Sequence, residues 1–140
     1  WFNIWSDKNY YKDALKDGFR IFGLPILDHK ELSEHMTQTD MGLFPNRCEG
    51  GTNLMLMDYM ACGKAVVANT STGQKDVLED EYSIPISGSD TQLVEQMVES
   101  TEKLYRNRSL MAKMGEKARS GMLKWTWKRT SEGIEQAIDS

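Results

Sequence analysis

The chain has 140 residues, 39% hydrophobic and 27% charged, which suits one globular domain with a sizeable core rather than two. A formal net charge of -4 and a pI near 5.2 argue against nucleic acid or an anionic membrane as the main partner. No apolar run approaches the ~20 residues needed to span a bilayer, and the opening WFNIWSDKNYY lacks the basic start and apolar core of a secretory signal, so it reads as an internal start.

In chain order, Tyr11, Ala14 and Leu15 recur at helical spacing in SDKNYYKDALKDG, with Ser6 or Asp7 as N-cap and Gly18 as C-cap. FRIFG follows as a short strand. DHKELSEHM opens with the capping-box pair Asp28 and Glu31 and sets Leu32 and Met36 on one face of a helix. MGLFP reads as a buried strand stopped by Pro45. A helix over NLMLMDYMAC ends at Gly63, KAVVAN is a second buried strand, and GQKDVLEDE makes one or two helical turns. YSIPIS is a weak strand whose Pro85 implies a strand end or a sheet edge. Beyond Gly88 the pattern is entirely helical. Leu93, Val94, Met97, Val98, Thr101, Leu104 and Tyr105 form one stripe, Leu110, Met114, Ala118, Met122 and Trp125 a second, and Thr130, Ile134 and Ile138 a third, all expected to face the core. Strands alternating with helices predict an α/β fold, a Rossmann-like parallel sheet flanked by helices. Ligands bind such sheets in the loops at the carboxyl ends of the strands.

NRCEGGT is the loop richest in glycine and polar groups. Gly50 and Gly51 allow a ligand close to the backbone and tolerate unusual dihedral angles, and Thr52 or Asn53 caps the next helix. Unpaired N–H groups and the positive end of the helix dipole then converge as they do at phosphate sites. The pattern is neither a Walker loop nor G-x-G-x-x-G, and a double glycine before a helix also fits a purely structural turn. Asp58 adds a second signal. It sits among Leu54, Met55, Leu56, Met57, Tyr59 and Met60, a helix apolar on nearly every side and so expected to be buried on nearly every side. A carboxylate there needs donors, supplied either by a neighbouring loop or by ligand hydroxyls.

Glu49 and Gly50, the apolar helix, MACGK and then VVA resemble the C-terminal, donor-binding domain of retaining GT-B glycosyltransferases of group 1, or family 4. There the motif is Glu, seven residues, Glu, then Ala-Met-Ala-Cys-Gly-x-Pro-Val. TDMGLFPNRCEGG, SIPISGSDTQLVEQM and LKWTWKRTSEGIEQAI resemble the preceding strand, the later Gly-Asp turn with its long helix, and the closing aromatic helix. The resemblance implies that residues 1–140 are a nucleotide-sugar-binding domain truncated at its N-terminus, with the acceptor domain absent and the piece inactive alone. It implies a UDP-, GDP- or ADP-sugar as donor, with a glycan, lipid or protein acceptor, no cofactor and no metal. Glu49 would face the hydroxyls of the transferred sugar, the backbone of Gly50, Gly51, Thr52, Asn53 and Leu54 would hold sugar and pyrophosphate, and Asp58 would bind the ribose. Three departures stand out: eight residues rather than seven separate Glu49 from Asp58, Asp replaces Glu, and Ala65 replaces Pro.

Other residues carry less. Cys48 and Cys62 read as reduced, packed thiols of a cytoplasmic protein, and His29 and His35 as structural or exposed. The acid run at residues 79–81 reads as a solvated loop, and Lys124, Lys128 and Arg129 near Trp125 and Trp127 as a solvated helix face. Arg47 fits a phosphate ligand or a surface residue equally, and Thr72 and Gly73 open a second loop on the same sheet edge. A nucleotide-sugar epimerase of the same build and a non-enzymatic α/β binding module are the competing readings.

Overall fold

The computed structural model describes residues 27–48 and 50–139. The helix expected in SDKNYYKDALKDG and the strand FRIFG lie outside the described residues. The chain divides into two compact units, Trp1–Leu32 and Ser33–Ser140.

Helix α1 spans His29–Gln38. Its start is the predicted reciprocal cap: the Glu31 backbone N–H donates to Asp28 Oδ1 at 2.8 Å, and the Asp28 N–H donates to Glu31 Oε2 at 3.0 Å. In the second unit three parallel strands, β1 (Met41–Phe44), β2 (Ala65–Asn69) and β3 (Ser83–Ile86), lie side by side in that order. Met41 pairs with Ala65 at one end of the register, and Asn69 with Ile86 at the other. Every residue of β2 is buried. That is why Ala65 to Ala68 are apolar without a break, with Asn69 alone polar at the carboxyl end: helices cover both faces of the strand, so alternation has nothing to select. Pro85 sits in β3 opposite Ala68, in a strand with no further partner among the described residues, where a missing N–H costs no ladder bond.

The side-chain period of two sends Val66 and Ala68 into one core and Ala65 and Val67 into the other. Helix α2 (Leu54–Ala61) closes the first core with Leu56 and Met60. Helix α3 (Asp90–Arg106) closes the second with Leu93 and Leu104. Helix α4 (Arg108–Met122) serves both, Met111 and Met114 joining the second core and Ala118 and Met122 the first. It passes the amino end of β2, where a Cβ at Gly115 would stand 2.1 Å from the Gly63 carbonyl oxygen. One sheet edge is therefore sealed by a helix, and the loops gather at the other. Helix α5 (Trp127–Asp139) completes the chain.

Four expectations change. In β1 only Gly42 and Phe44 are buried, and Leu43 is exposed. The segment after β2 is a single 3-10 helix, Thr72–Asp76, shorter than GQKDVLEDE suggests. The first helical stripe resolves into two lines about 100° apart around the axis. Leu93, Ser100 and Leu104 are buried, whereas Val94, Val98 and Tyr105 are exposed. The third stripe faces solvent, since no residue of α5 is buried. Periodicity locates an apolar face but not what covers it. No helix among the described residues is long and apolar enough to cross a membrane.

Candidate functional site

Parallel pairing puts the loops after β1, β2 and β3 at one sheet edge. Pro45 ends β1, and the chain runs through residues 46–53 to α2. Asn53 is the cap. It is buried, has extended dihedral angles (φ -74, ψ 101), and its Oδ1 accepts the Leu56 N–H at 3.1 Å. The choice left open between Thr52 and Asn53 is thus settled by the side chain that reaches back to the helix; Thr52 is exposed. The Leu54 and Met55 N–H groups, in the first turn, have no acceptor among the described residues.

Gly50 and Gly51 are exposed, and a Cβ on either would meet no atom within 4 Å. The positive-φ glycines among the described residues are Gly63 and Gly88, so the freedom expected at the double glycine is not used for an unusual backbone. Among the described residues no atom crowds a Cβ at 50 or 51. Gly73 is the opposite case: its Cβ would lie 2.4 Å from the Gly51 carbonyl oxygen, so the start of the 3-10 helix presses directly on the glycine loop. Glu49 lies outside the described residues.

Asp58 corrects its expected setting. Of α2 only Leu56 and Met60 are fully buried, Met55, Met57 and Tyr59 are half-buried, and Leu54 is 68% exposed. Asp58, one turn on from Leu54, is exposed with it, and its carboxylate has no hydrogen bond or ion pair among the described residues. Apolar composition overstated the burial of this helix, because a helix on the flank of a sheet buries one face whatever its other faces carry. The Asp58 charge therefore needs no internal donor.

The remaining candidates are spoken for. Arg47 pairs with Asp90 in the first turn of α3, bridging the loop after β1 to the helix after β3; both side chains are more than half exposed. Lys117 pairs with Glu81 at 2.6 Å, and Lys124 with Glu79, so α4 and the turn after it pair two of the three acids at residues 79–81. The Lys124 hydrogen bond holds the Glu79 carboxyl below its ordinary value, helped by Tyr82. Burial, and then the Glu79 carboxylate, push the Tyr82 hydroxyl up to about 12. Cys62 is raised by burial first and by the Asp58 charge second, which keeps its thiol protonated; Cys48 is exposed, and both thiols are free. His35 is exposed on α1. No group of three or more His, Cys, Asp or Glu among the described residues is placed to hold a metal. Two concavities, of about 280 Å³ near Trp125 and Arg129 and about 440 Å³ near Glu81 and Tyr82, include no residue of the glycine loop.

The signal missed in the sequence is the buried polar set behind the loop: Asn53, Asn69 and Gln74, the last fully buried. The Asn46 carbonyl oxygen accepts from Asn69 Nδ2 (3.1 Å), Ser71 Oγ (2.7 Å) and Gln74 Nε2 (3.0 Å), and Asn53 Nδ2 donates to Gln74 Oε1 at 3.5 Å. A run of Asn, Ser, Thr and Gln after an apolar strand was the available hint.

No curated protein sequence matches the chain. Among solved structures it is similar to sucrose-phosphate synthase from Thermosynechococcus elongatus, with a TM-score of 0.74 and 17% identity over 94% of this chain and 33% of that one. It is also similar to HepE from Anabaena, determined in complex with UDP, with a TM-score of 0.72 and 15% identity over 94% of this chain and 37% of that one. The chain thus spans about a third of the length of these structures, and the shared fold is that of GT-B glycosyltransferases. Residues 5–107 match the family of glycosyl transferases group 1, and the chain belongs to that family.

Proposed function

We propose that residues 1–140 form the donor-binding domain of a retaining glycosyltransferase and hold a UDP-, GDP- or ADP-sugar at the loop after β1. The diphosphate accepts hydrogen bonds from the backbone of Gly50, Gly51, Thr52, Asn53 and Leu54 at the mouth of α2. Asp58 accepts from the ribose hydroxyls, and Glu49 faces the hydroxyls of the transferred sugar. When the nucleoside diphosphate leaves the anomeric carbon, negative charge grows on its phosphates. Fixed N–H donors and a helix N-terminus stabilise that charge without a metal ion. The acceptor, a glycan, lipid or protein, is bound outside the described residues, and transfer requires that second surface. The two free thiols fit a cytoplasmic setting.

The observation that carries this reading is Asp58. It is an exposed carboxylate with no hydrogen bond or ion pair among the described residues, roughly 7 Å along the helix from the Asn53 cap at 1.5 Å per residue. That spacing suits a ribose whose diphosphate sits at the helix mouth. Gly50 and Gly51 add support, since open space rather than crowding surrounds them. The UDP bound to HepE supports a nucleoside diphosphate as the ligand class. The test is an amide-resolved NMR titration of the chain with UDP, GDP and ADP in turn. Shifts concentrated at residues 50–58 and unchanged by a chelator are expected. Absence of shifts there for all three nucleotides would sink the reading.

A further inference from the structure

The glycine loop is tied to a neighbouring loop. Its two ends, Asn46 and Asn53, are held by one side chain from a different loop. Gln74 is fully buried, and both halves of its carboxamide are engaged: Nε2 donates to the Asn46 carbonyl at 3.0 Å, and Oε1 accepts from Asn53 Nδ2 at 3.5 Å. A carboxamide carries a donor and an acceptor side by side. An ionised Glu at this place has no donor, Asn falls short by one methylene, and Met offers neither partner. Without Gln74 the Asn46 carbonyl keeps Asn69 and Ser71 as donors, but the Asn53 amide loses its Gln74 acceptor, the costly direction of hydrogen-bond loss for a buried group.

The longer bond, at 3.5 Å, reaches the cap. With Nδ2 committed to Gln74, Oδ1 of the same amide is aimed at the Leu56 N–H, which it accepts at 3.1 Å. The α2 cap is thereby linked to a residue 21 positions further along the chain. The backbone beside Gln74 acts in the same sense, because Gly73 lies so close to Gly51 that a Cβ would stand 2.4 Å from its carbonyl oxygen. Ser71 and Asn69 add two further donors to the Asn46 oxygen.

We infer that Gln74 is a positioning residue for nucleoside-diphosphate binding: it holds Asn46 and the Asn53 cap so that the backbone N–H groups at the mouth of α2 are presented to the phosphates. This rests on the reading of that loop as the donor site. A polar group satisfied for stability alone would affect folding and leave binding by the folded protein untouched, and an experiment can separate the two.

UDP affinity is measured by calorimetry on the full chain for the unmodified protein, Gln74→Met and Leu104→Ala. Gln74→Met keeps length and burial but removes both hydrogen bonds. Leu104→Ala hollows the core on the far side of the sheet, away from the loop, and serves as the control for lost stability. Gln74→Met is expected to weaken UDP binding by about tenfold. Leu104→Ala, although less stable, is expected to bind within about twofold of the unmodified chain, since distant sites act independently. Unchanged affinity in Gln74→Met, with UDP bound by the unmodified chain, overturns the role of Gln74 and leaves the donor site standing. Equal weakening in both variants overturns it too, as a general effect of stability. Should Gln74→Met not fold, the unmodified chain decides: UDP must shift the Gln74 side-chain amide resonances along with those of the loop, and unmoved resonances overturn the assignment. No UDP-dependent change anywhere in the unmodified chain removes the donor-site reading, and this role with it.

Discussion

Asp58 and Asn53 lie five residues apart on the same short helix and have opposite fates. Asn53 is buried and bonded to Leu56 and Gln74; Asp58 is exposed, and its carboxylate has no hydrogen bond or ion pair among the described residues. An exposed, unpaired carboxylate contributes little to stability, so its replacement separates binding from folding. Asp58→Asn is expected to leave stability within about 0.5 kcal/mol, as for surface substitutions generally. The same change is expected to weaken UDP binding by about tenfold, the scale of a hydrogen bond to a charged acceptor. Thermal melts and calorimetry on the one variant check both halves. A clear loss of stability with unaltered UDP affinity would mean that Asp58 serves the fold. At this scale the sequence was only partly legible. The residue types at the loop and helix mouth could be read directly, but the exposure of Asp58 and the selection of Asn53 over Thr52 depend on which side of α2 meets the sheet.

Among the elements, β2 was the most legible, because its first four residues, Ala65 to Ala68, are all apolar and only a strand covered on both faces needs that. The cap of α1 was equally plain, since Asp28 and Glu31 satisfy each other locally. The long helices were legible in extent and not in rotation: Val94 and Leu93 are neighbours of similar character, yet one is 64% exposed and the other 7%. Gly115 was silent in the sequence and is decisive in the structure. On propensity alone Gly115→Ala would stabilise α4 by up to about 1 kcal/mol. The Cβ, however, would fall 2.1 Å from the Gly63 carbonyl oxygen, a backbone atom that cannot step aside. Overpacking of this kind costs about 1–3 kcal/mol, so the net change is a loss. Denaturant unfolding should show a lower midpoint with an unchanged slope; a raised midpoint would mean that α4 sits further from Gly63 than described.

For the molecule as a whole, pH dependence follows from Tyr82 and Glu79. The Tyr82 hydroxyl, ordinarily at 10.0, is pushed up to about 12 by burial and then by Glu79. Its contribution is complete below pH 10 and is lost as pH rises toward about 12, because the unfolded chain releases that proton first. Tyr82→Phe should flatten this part of the alkaline stability profile, read as the difference between the two proteins; parallel profiles would show that the hydroxyl is not held up. Glu79 works in the other direction: its carboxyl lies below the ordinary 4.5, so its contribution is present at neutral pH and fades as acid protonates it. Taken alone, the sequence determined the α/β class, the parallel strands and the group 1 glycosyl transferase family, because period, apolar runs and short motifs are local and survive without coordinates. Tertiary structure alone decided which faces are covered and which residues stand behind the glycine loop. Gln74 meets Asn46 and Asn53 only because parallel pairing brings the ends of β1 and β2 together, and no local pattern encodes contacts between residues 21 and 28 positions apart.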